Sequence, residues 1–154
     1  MALQIIRKHR LWEYFLVEKL GFGWEEVHEI AEELEHISSR KLIDRLDEFL
    51  GCPRTDPHGD PIPDSQGKIP VIRQTSLLDL PLKKTAAVIS VGNQSPAMLD
   101  LLKHHHVGIG TKLTVTRKFD FDQTLEISVA HRPVFTISEL LAANLFVAYD
   151  TTTA

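Results

Sequence analysis

The stretch His28-Glu29-Ile30-Ala31-Glu32-Glu33-Leu34-Glu35-His36 decides how the rest of the chain is read. Around it Val27, Ile30, Ala31, Leu34 and Ile37 recur at the i, i+3, i+4, i+7 spacing of a helix with one buried stripe. At ~100° per residue, His28, Glu32, Glu35 and His36 fall within roughly 100° of one another, on a strip beside that stripe rather than opposite it. Carboxylates stacked at i,i+3 and i,i+4 repel by roughly 0.2–0.5 kcal/mol per pair unless something positive lies between them.

Outward from this stretch the same chemistry repeats. Leu3 to Leu20 holds no proline or glycine and is rich in leucine and aromatics, which predicts one helix closed by Gly21. On it His9 and Glu13 again stand at i,i+4. If the two helices pack, six nitrogen and oxygen donors converge: His9, Glu13, His28, Glu32, Glu35 and His36. A solvated acidic face with scattered histidines is the plain alternative for any one of them. The set as a whole reads as a divalent metal site. With no thiolate in it, the donors favour manganese or iron(II), with zinc and cobalt able to substitute.

Other metal motifs fit poorly. Glu32 stands where a zincin HExxH needs its second histidine. Glu33-Leu34-Glu35-His36 is a single copy of the ExxH that di-iron bundles need twice.

The remaining sequence divides into two domains. Ser38-Ser39 interrupts the second helix and caps a third, which carries Leu42, Ile43, Leu46, Phe49 and Leu50 on its apolar side. Three helices with so much apolar surface are expected to pair with a second copy of the chain. Residues 51–70 hold five of the eight prolines and three of the eight glycines, a boundary loop. Beyond it short β segments are predicted at Lys84–Val91, Lys112–Arg117, Leu125–Ala130 and Pro133–Ile137. Helices are predicted at Pro96–His104 and Glu139–Ala143. The spacing suits a five-stranded, partly open barrel. The fold class is α+β, with a helical domain over 1–74 (including the loop 51–74) and a barrel over 75–150.

Composition sets outer limits. The chain has 154 residues, 43% hydrophobic and 25% charged, with no apolar run near the ~18 residues of a membrane span. No signal peptide is evident after Met1, so a cytoplasmic home and no membrane partner are expected. Single Cys52 excludes a disulfide framework and a four-cysteine zinc site. Net charge is −4, and residues 1–50 carry seven Lys/Arg against eleven Asp/Glu, which argues against broad attachment to nucleic acid. His104-His105-His106 reads as a solvated helix-to-strand turn. No phosphate loop, no basic patch with interleaved aromatics and no nucleophile beside Cys52 is visible.

Three elements in order, Arg7-Lys8-His9-Arg10-Leu11-Trp12-Glu13, His28 through Glu35-His36, and Pro57-His58-Gly59-Asp60-Pro61-Ile62-Pro63, resemble the metal-dependent repressors of the diphtheria toxin repressor and manganese transport regulator family. Residues 75–148 resemble more loosely that family's FeoA-like, Src-homology-3-like C-terminal domain. The resemblance implies a homodimeric divalent-metal sensor that represses metal-uptake genes, and no enzyme. By position, His9, Glu32, Glu35 and His36 match the primary regulatory site. Glu32 stands where the iron branch has cysteine and the manganese branch glutamate. Glu13 matches an ancillary ligand, as does His28 in the iron branch. Asp56 and His58 match the Cys-Pro-His type of second site. The family reads DNA through a winged helix-turn-helix ahead of these helices, which this sequence does not show, so part of the primary ligand set is expected to be missing. A barrel ligand near Asn93-Gln94-Ser95 is also implied. Rival readings are a small metal-dependent hydrolase and a truncated partner or metal buffer without DNA binding of its own.

Overall fold

A computed structural model of the chain describes residues 2–69 and 73–149. They fall into two compact units, Met1–Ile72 and Arg73–Ala154.

The first unit is three helices and a loop. Helix α1 (Ala2–Glu18) buries Leu11, Trp12 and Leu16. It runs into a turn where Gly21 takes φ +76°, the left-handed conformation that glycine enters at least cost. Helix α2 (Val27–Leu34) buries Val27 and Ala31, one turn apart. Helix α3 (Arg40–Phe49) opens on Ser39, whose hydroxyl accepts from the Leu42 N–H at 3.2 Å. It closes in a Schellman turn, Cys52 N–H to Asp47 C=O at 2.9 Å and Gly51 N–H to Glu48 C=O at 3.0 Å, with Gly51 at φ +81°.

Leu11, Trp12, Ala31, Ile43, Leu46 and Leu50 form the core, and Ile62 reaches it from the proline-rich loop. Arg7 of α1 is buried against α3, its guanidinium 3.2 Å from Asp44 and 3.0 Å from Asp47. Of the five residues expected on the apolar side of α3, Ile43, Leu46 and Leu50 are buried, whereas Leu42 and Phe49 are exposed. These two stand seven apart, two turns along one helix face.

The second unit is a six-stranded antiparallel sheet rather than the expected five strands. Its strands are β1 (Thr75–Ser76), β2 (Thr85–Val91), β3 (Lys112–Lys118), β4 (Leu125–Val129), β5 (Phe135–Ile137) and β6 (Leu145–Ala148), in the order β1-β6-β2-β3-β4-β5. Among the described residues no pairing joins β1 to β5, so the sheet is open there. Two of its strands, β1 and β6, lie outside the segments predicted from the sequence, and β6 lies between β1 and β2. Strand β6 follows α5 with only the C-cap residue Asn144 between them, and four residues are too few for periodicity to mark a strand.

Alternate residues point inward, with Val88, Leu113, Val115, Leu125, Ile127, Leu145 and Val147 all buried. Helices α4 (Pro96–His104) and α5 (Glu139–Ala143) are capped by Ser95 and Ser138. The histidine run ends α4. His106 stands at φ +58° in a second Schellman turn, with Val107 N–H on Leu102 C=O at 2.9 Å. No helix of the described residues is long and apolar enough to cross a membrane.

Candidate metal centre

Glu13 is the hinge of the site. It lies one turn after His9 on the same face of α1, and it is 1% exposed although ionisable. A buried carboxylate is costly unless it is paired. Two sets of partners surround it, both within the first unit.

The inner set comes from the loop. Asp56 Oδ1 accepts from the His58 N–H at 2.8 Å and the Asp60 N–H at 2.9 Å, folding Pro57-His58-Gly59 into a tight turn. Gly59 at φ +86° completes it. With Oδ1 so occupied, Oδ2 faces His58 Nδ1 at 3.6 Å, and Glu13 Oε1 lies 3.8 Å from the same nitrogen. The far nitrogen, His58 Nε2, donates to the Trp24 carbonyl at 2.8 Å, while the Trp24 ring stacks on the imidazole at 5.9 Å. Asp56 is 3% and His58 0% exposed.

The outer set comes from the helices. His9 Nε2 lies 3.1 Å from Glu13 Oε2 and 3.1 Å from His28 Nδ1, and that His28 nitrogen is 3.7 Å from the same Glu13 oxygen. Each histidine is held from behind by a carboxylate: His9 Nδ1 to Glu35 Oε1 at 2.7 Å, and His28 Nε2 to Glu32 Oε1 at 3.0 Å. A carboxylate behind an imidazole is the usual outer partner of a metal-ligating histidine, fixing which nitrogen is presented.

The described donors thus assemble as two groups, His9–Glu13–His28 and Glu13–Asp56–His58, each with its ligand atoms within 4.8 Å. Glu32 and Glu35 meet the site as partners of its histidines. His36 belongs to neither group. Helix α2 ends at Leu34, so His36 sits exposed in the following turn rather than continuing the helical strip on which its spacing places it. Trp24 is the participant that sequence reasoning missed. A backbone carbonyl leaves no side-chain pattern, and only the glycines at 21 and 23 hint at a shaped turn there.

The electrostatics are those of carboxylates and imidazoles buried against one another. Burial pushes the Glu13 carboxyl up, yet hydrogen bonds and charge from His58 and His9 outweigh it and hold the group well below the usual carboxylate range. Burial, with the charges of Glu13 and Asp60 added, pushes Asp56 up to about 6 against the pull of His58. Burial alone would lower His58, but Asp56 and Glu13 raise it to about 10. His9 is raised in the same way, Glu13 and Glu35 overcoming its burial. In the metal-free chain a proton on His58 therefore stands between two carboxylates.

Glu13 Oε2, Asp56 Oδ2 and His58 Nδ1 are buried with no hydrogen-bond partner. Ligands at right angles on an ion with bonds of about 2.1 Å stand about 3 Å apart, close to the spacing of the outer set. One imidazole, two carboxylates and no thiolate suit a borderline-hard divalent ion. The residues present fit the group.

A helical unit with a cluster of possible metal donors buried beside its leucines, followed by a small open sheet, defines a candidate metal-binding module with an appended β domain. The profile of the "Iron dependent repressor, metal binding and dimerisation domain" matches residues 1–64, and that of the FeoA domain matches residues 75–149. The chain is similar to a solved "Manganese-dependent transcriptional repressor complex with manganese" at 33% identity and a TM-score of 0.88, over 96% of this chain and 70% of that one. It is 48% identical over 63 residues to the iron-dependent repressor IdeR of Mycobacterium leprae, covering 41% of this chain and 27% of the relative. It is 45% identical over 62 residues to a "Probable metal transport system membrane protein" of Chlamydia trachomatis, covering 40% of this chain and 14% of the relative. The chain matches about a quarter or less of the length of these two curated relatives. The chain belongs to the family of iron- and manganese-dependent transcriptional repressors, whose metal-binding and dimerisation domain and FeoA domain it carries.

Proposed function

We propose that the chain is the metal-sensing and dimerisation portion of a manganese- or iron-dependent transcriptional repressor that controls metal uptake. The observation that supports this reading above all is the trio of buried, unpartnered donors on Glu13, Asp56 and His58. His9 and His28 extend the ligand set outward, with Glu32 and Glu35 behind them, and His36 is offered from the turn after α2. A bound divalent ion supplies two positive charges that neutralise the buried carboxylates.

The chain's own residues do the rest. Asp56 shapes its loop and presents one oxygen. Trp24 holds His58 in the tautomer that presents Nδ1. His58 and His9 give up protons when they become ligands, so loading is linked to proton release. Occupancy would join α1, α2 and the loop at 53–60 into one rigid body, on which the dimer surface of exposed Leu3, Leu42 and Phe49 is carried. The population of the DNA-competent dimer would shift accordingly.

The 45% identity to the chlamydial transport protein favours one second reading, a metal-sensing module that regulates a transporter to which it is joined. Calorimetry on the metal-free chain tests the common core. Saturable heat with manganese, cobalt or zinc is expected, weakened far more by Asp56→Ala than by His105→Ala. Absence of saturable heat, or equal effects of the two changes, would reject it. Gel shifts separate the two readings. Joined behind a winged-helix segment, the chain should gain metal-dependent binding to palindromic DNA, since a dimer then presents two readers at fixed spacing.

A further inference from the structure

We propose that the cavity between α1 and the start of α3 is a binding site for a small oxyanion of the phosphate class. It shares no residue with the metal donors and does not rest on the metal-sensing reading.

Charge is the first observation. Gln4, Arg7 and Lys8 of α1 and Ser38, Arg40 and Ile43 at the start of α3 line a cavity of about 250 Å³. Three of these residues are cationic and none is a carboxylate. The first fifty residues hold seven Lys/Arg against eleven Asp/Glu, so a cavity walled by three of those seven stands out from an acidic unit. Among the described residues neither Lys8 nor Arg40 enters an ion pair. Their charges await an anion.

Arg7 is the second. It is 3% exposed, and Asp44 holds its Nη1 at 3.2 Å while Asp47 holds its Nη2 at 3.0 Å. These two contacts fix the guanidinium, yet Nε is left buried with no hydrogen-bond partner. A buried donor without an acceptor is costly. An oxyanion in the cavity that Arg7 lines would supply the acceptor.

The end of α3 is the third. Ser39 satisfies the Leu42 N–H, but the N–H groups of Arg40 and Lys41 have no acceptor within a helix. They carry the partial positive charge of the helix start, a setting that favours anions. Ser38 adds a hydroxyl and Gln4 an amide at the same cavity.

Size and donor number select the class of ligand. The cavity is smaller than the ~300–1,000 Å³ of pockets that enclose a drug-sized molecule, so a small ion fits it better than a nucleotide. The donors outnumber the roughly four lone-pair sites of a carboxylate and suit a phosphate, which has twice the oxygens. Binding would tie the second turn of α1 to the first turn of α3.

The test is a titration of the metal-free 154-residue chain with inorganic phosphate at constant ionic strength, followed by amide-correlation NMR. The expected result is saturable shifts of the Arg40 and Lys41 amides and of the Arg7 Nε–H, with sulfate competing and chloride without effect. Arg40→Glu and Lys8→Glu change an exposed and a half-buried side chain. Each should weaken phosphate binding by about tenfold or more, the loss expected for a hydrogen bond to a charged group. Lys112→Glu, exposed on the sheet unit, should leave binding unchanged. Shifts that do not saturate, shifts that chloride reproduces, or affinity indifferent to both Lys8 and Arg40 would overturn the site. Duplex DNA moving the same amides while free phosphate is inert would overturn the small-ion reading in favour of a nucleic-acid contact.

Discussion

The helical unit and the sheet unit solve the problem of an interior in opposite ways. The sheet unit fills its core with alternate apolar residues from β2, β3, β4 and β6, and among its described residues Ser90 is the buried polar side chain. The helical unit buries Arg7, Glu13, Asp56 and His58 beside its leucines. Arg7 is answered by Asp44 and Asp47 on α3, with its Nε left without a hydrogen-bond partner. The other three answer one another incompletely, with three atoms left unpartnered. Buried charges commonly cost more in desolvation than they recover in pairing. A core of this kind gives up stability in the free state and would regain it on binding an ion, which is what the proposed sensing role requires. The sheet has no such reserve.

The largest expected effect separates the units by deleting the hinge. Glu13→Ala leaves Asp56 and His58 buried without their neighbour and should destabilise the helical unit by about 3–5 kcal/mol, the usual cost of breaking a buried pair. Hydrogen exchange resolved by residue should show the loss over α1–α3 and leave the amides of β3 and β4 unchanged. Loss spread equally over both units would erase the contrast. Leu113→Ala is the converse, costing about 2–5 kcal/mol in the sheet through the cavity it leaves.

Next in size is the metal itself. An ion present at about a hundredfold over its dissociation constant should stabilise the helical unit by about 2.7 kcal/mol. Urea unfolding with and without manganese measures this. A sheet that gains as much as the helices would show that the ion is not bound where the unpartnered atoms lie.

The pH dependence sharpens the comparison further. His58 is raised from 6.5 to about 10, so the stability it contributes is complete below about pH 6.5 and is lost as pH rises through 10. Glu13 is lowered, so its contribution is complete above about pH 4.5 and is lost as pH falls. Asp56, raised to about 6, opposes Glu13 and makes stability decline between about pH 4 and 6. The metal-free helical unit should therefore weaken at both extremes, and manganese affinity should rise from pH 6 to pH 8 as protons on His58 and His9 become easier to displace. Affinity independent of pH over that range would mean that neither imidazole is a ligand.

The smallest effect concerns the histidine run. His106 occupies a left-handed position, at a cost of roughly 1–2 kcal/mol relative to a residue without a Cβ. His106→Gly should raise the stability of the sheet unit slightly, by about 1 kcal/mol after glycine's greater loss of chain entropy is counted. Metal binding should stay as it was. A weaker manganese isotherm in this variant would bring the run back as a ligand source.

Much of this molecule is legible along the chain because short-range chemistry decides it. Ser39, Ser95 and Ser138 cap helices where serine precedes an apolar-periodic run, and the bounds of α4 and α5 are those the sequence predicts. His9, Glu13 and His28 reveal themselves through i,i+4 spacing, since a helix of fixed pitch turns spacing into proximity. Strand β6 escapes this reading because its four residues, set off from α5 by Asn144 alone, are too few to show a period and become a strand through pairing with β1 and β2. His36 misleads it because periodicity does not say where α2 stops. Family resemblance names Asp56 and His58 as site residues, but two geometric matters belong to the tertiary structure alone. Asp56 and His58 lie over forty residues beyond Glu13, and only the turn folded around Asp56 Oδ1 brings them to its buried carboxylate. That Glu13 serves both groups follows from the two faces of one carboxylate, and a sequence records the residue but not the direction in which each oxygen points.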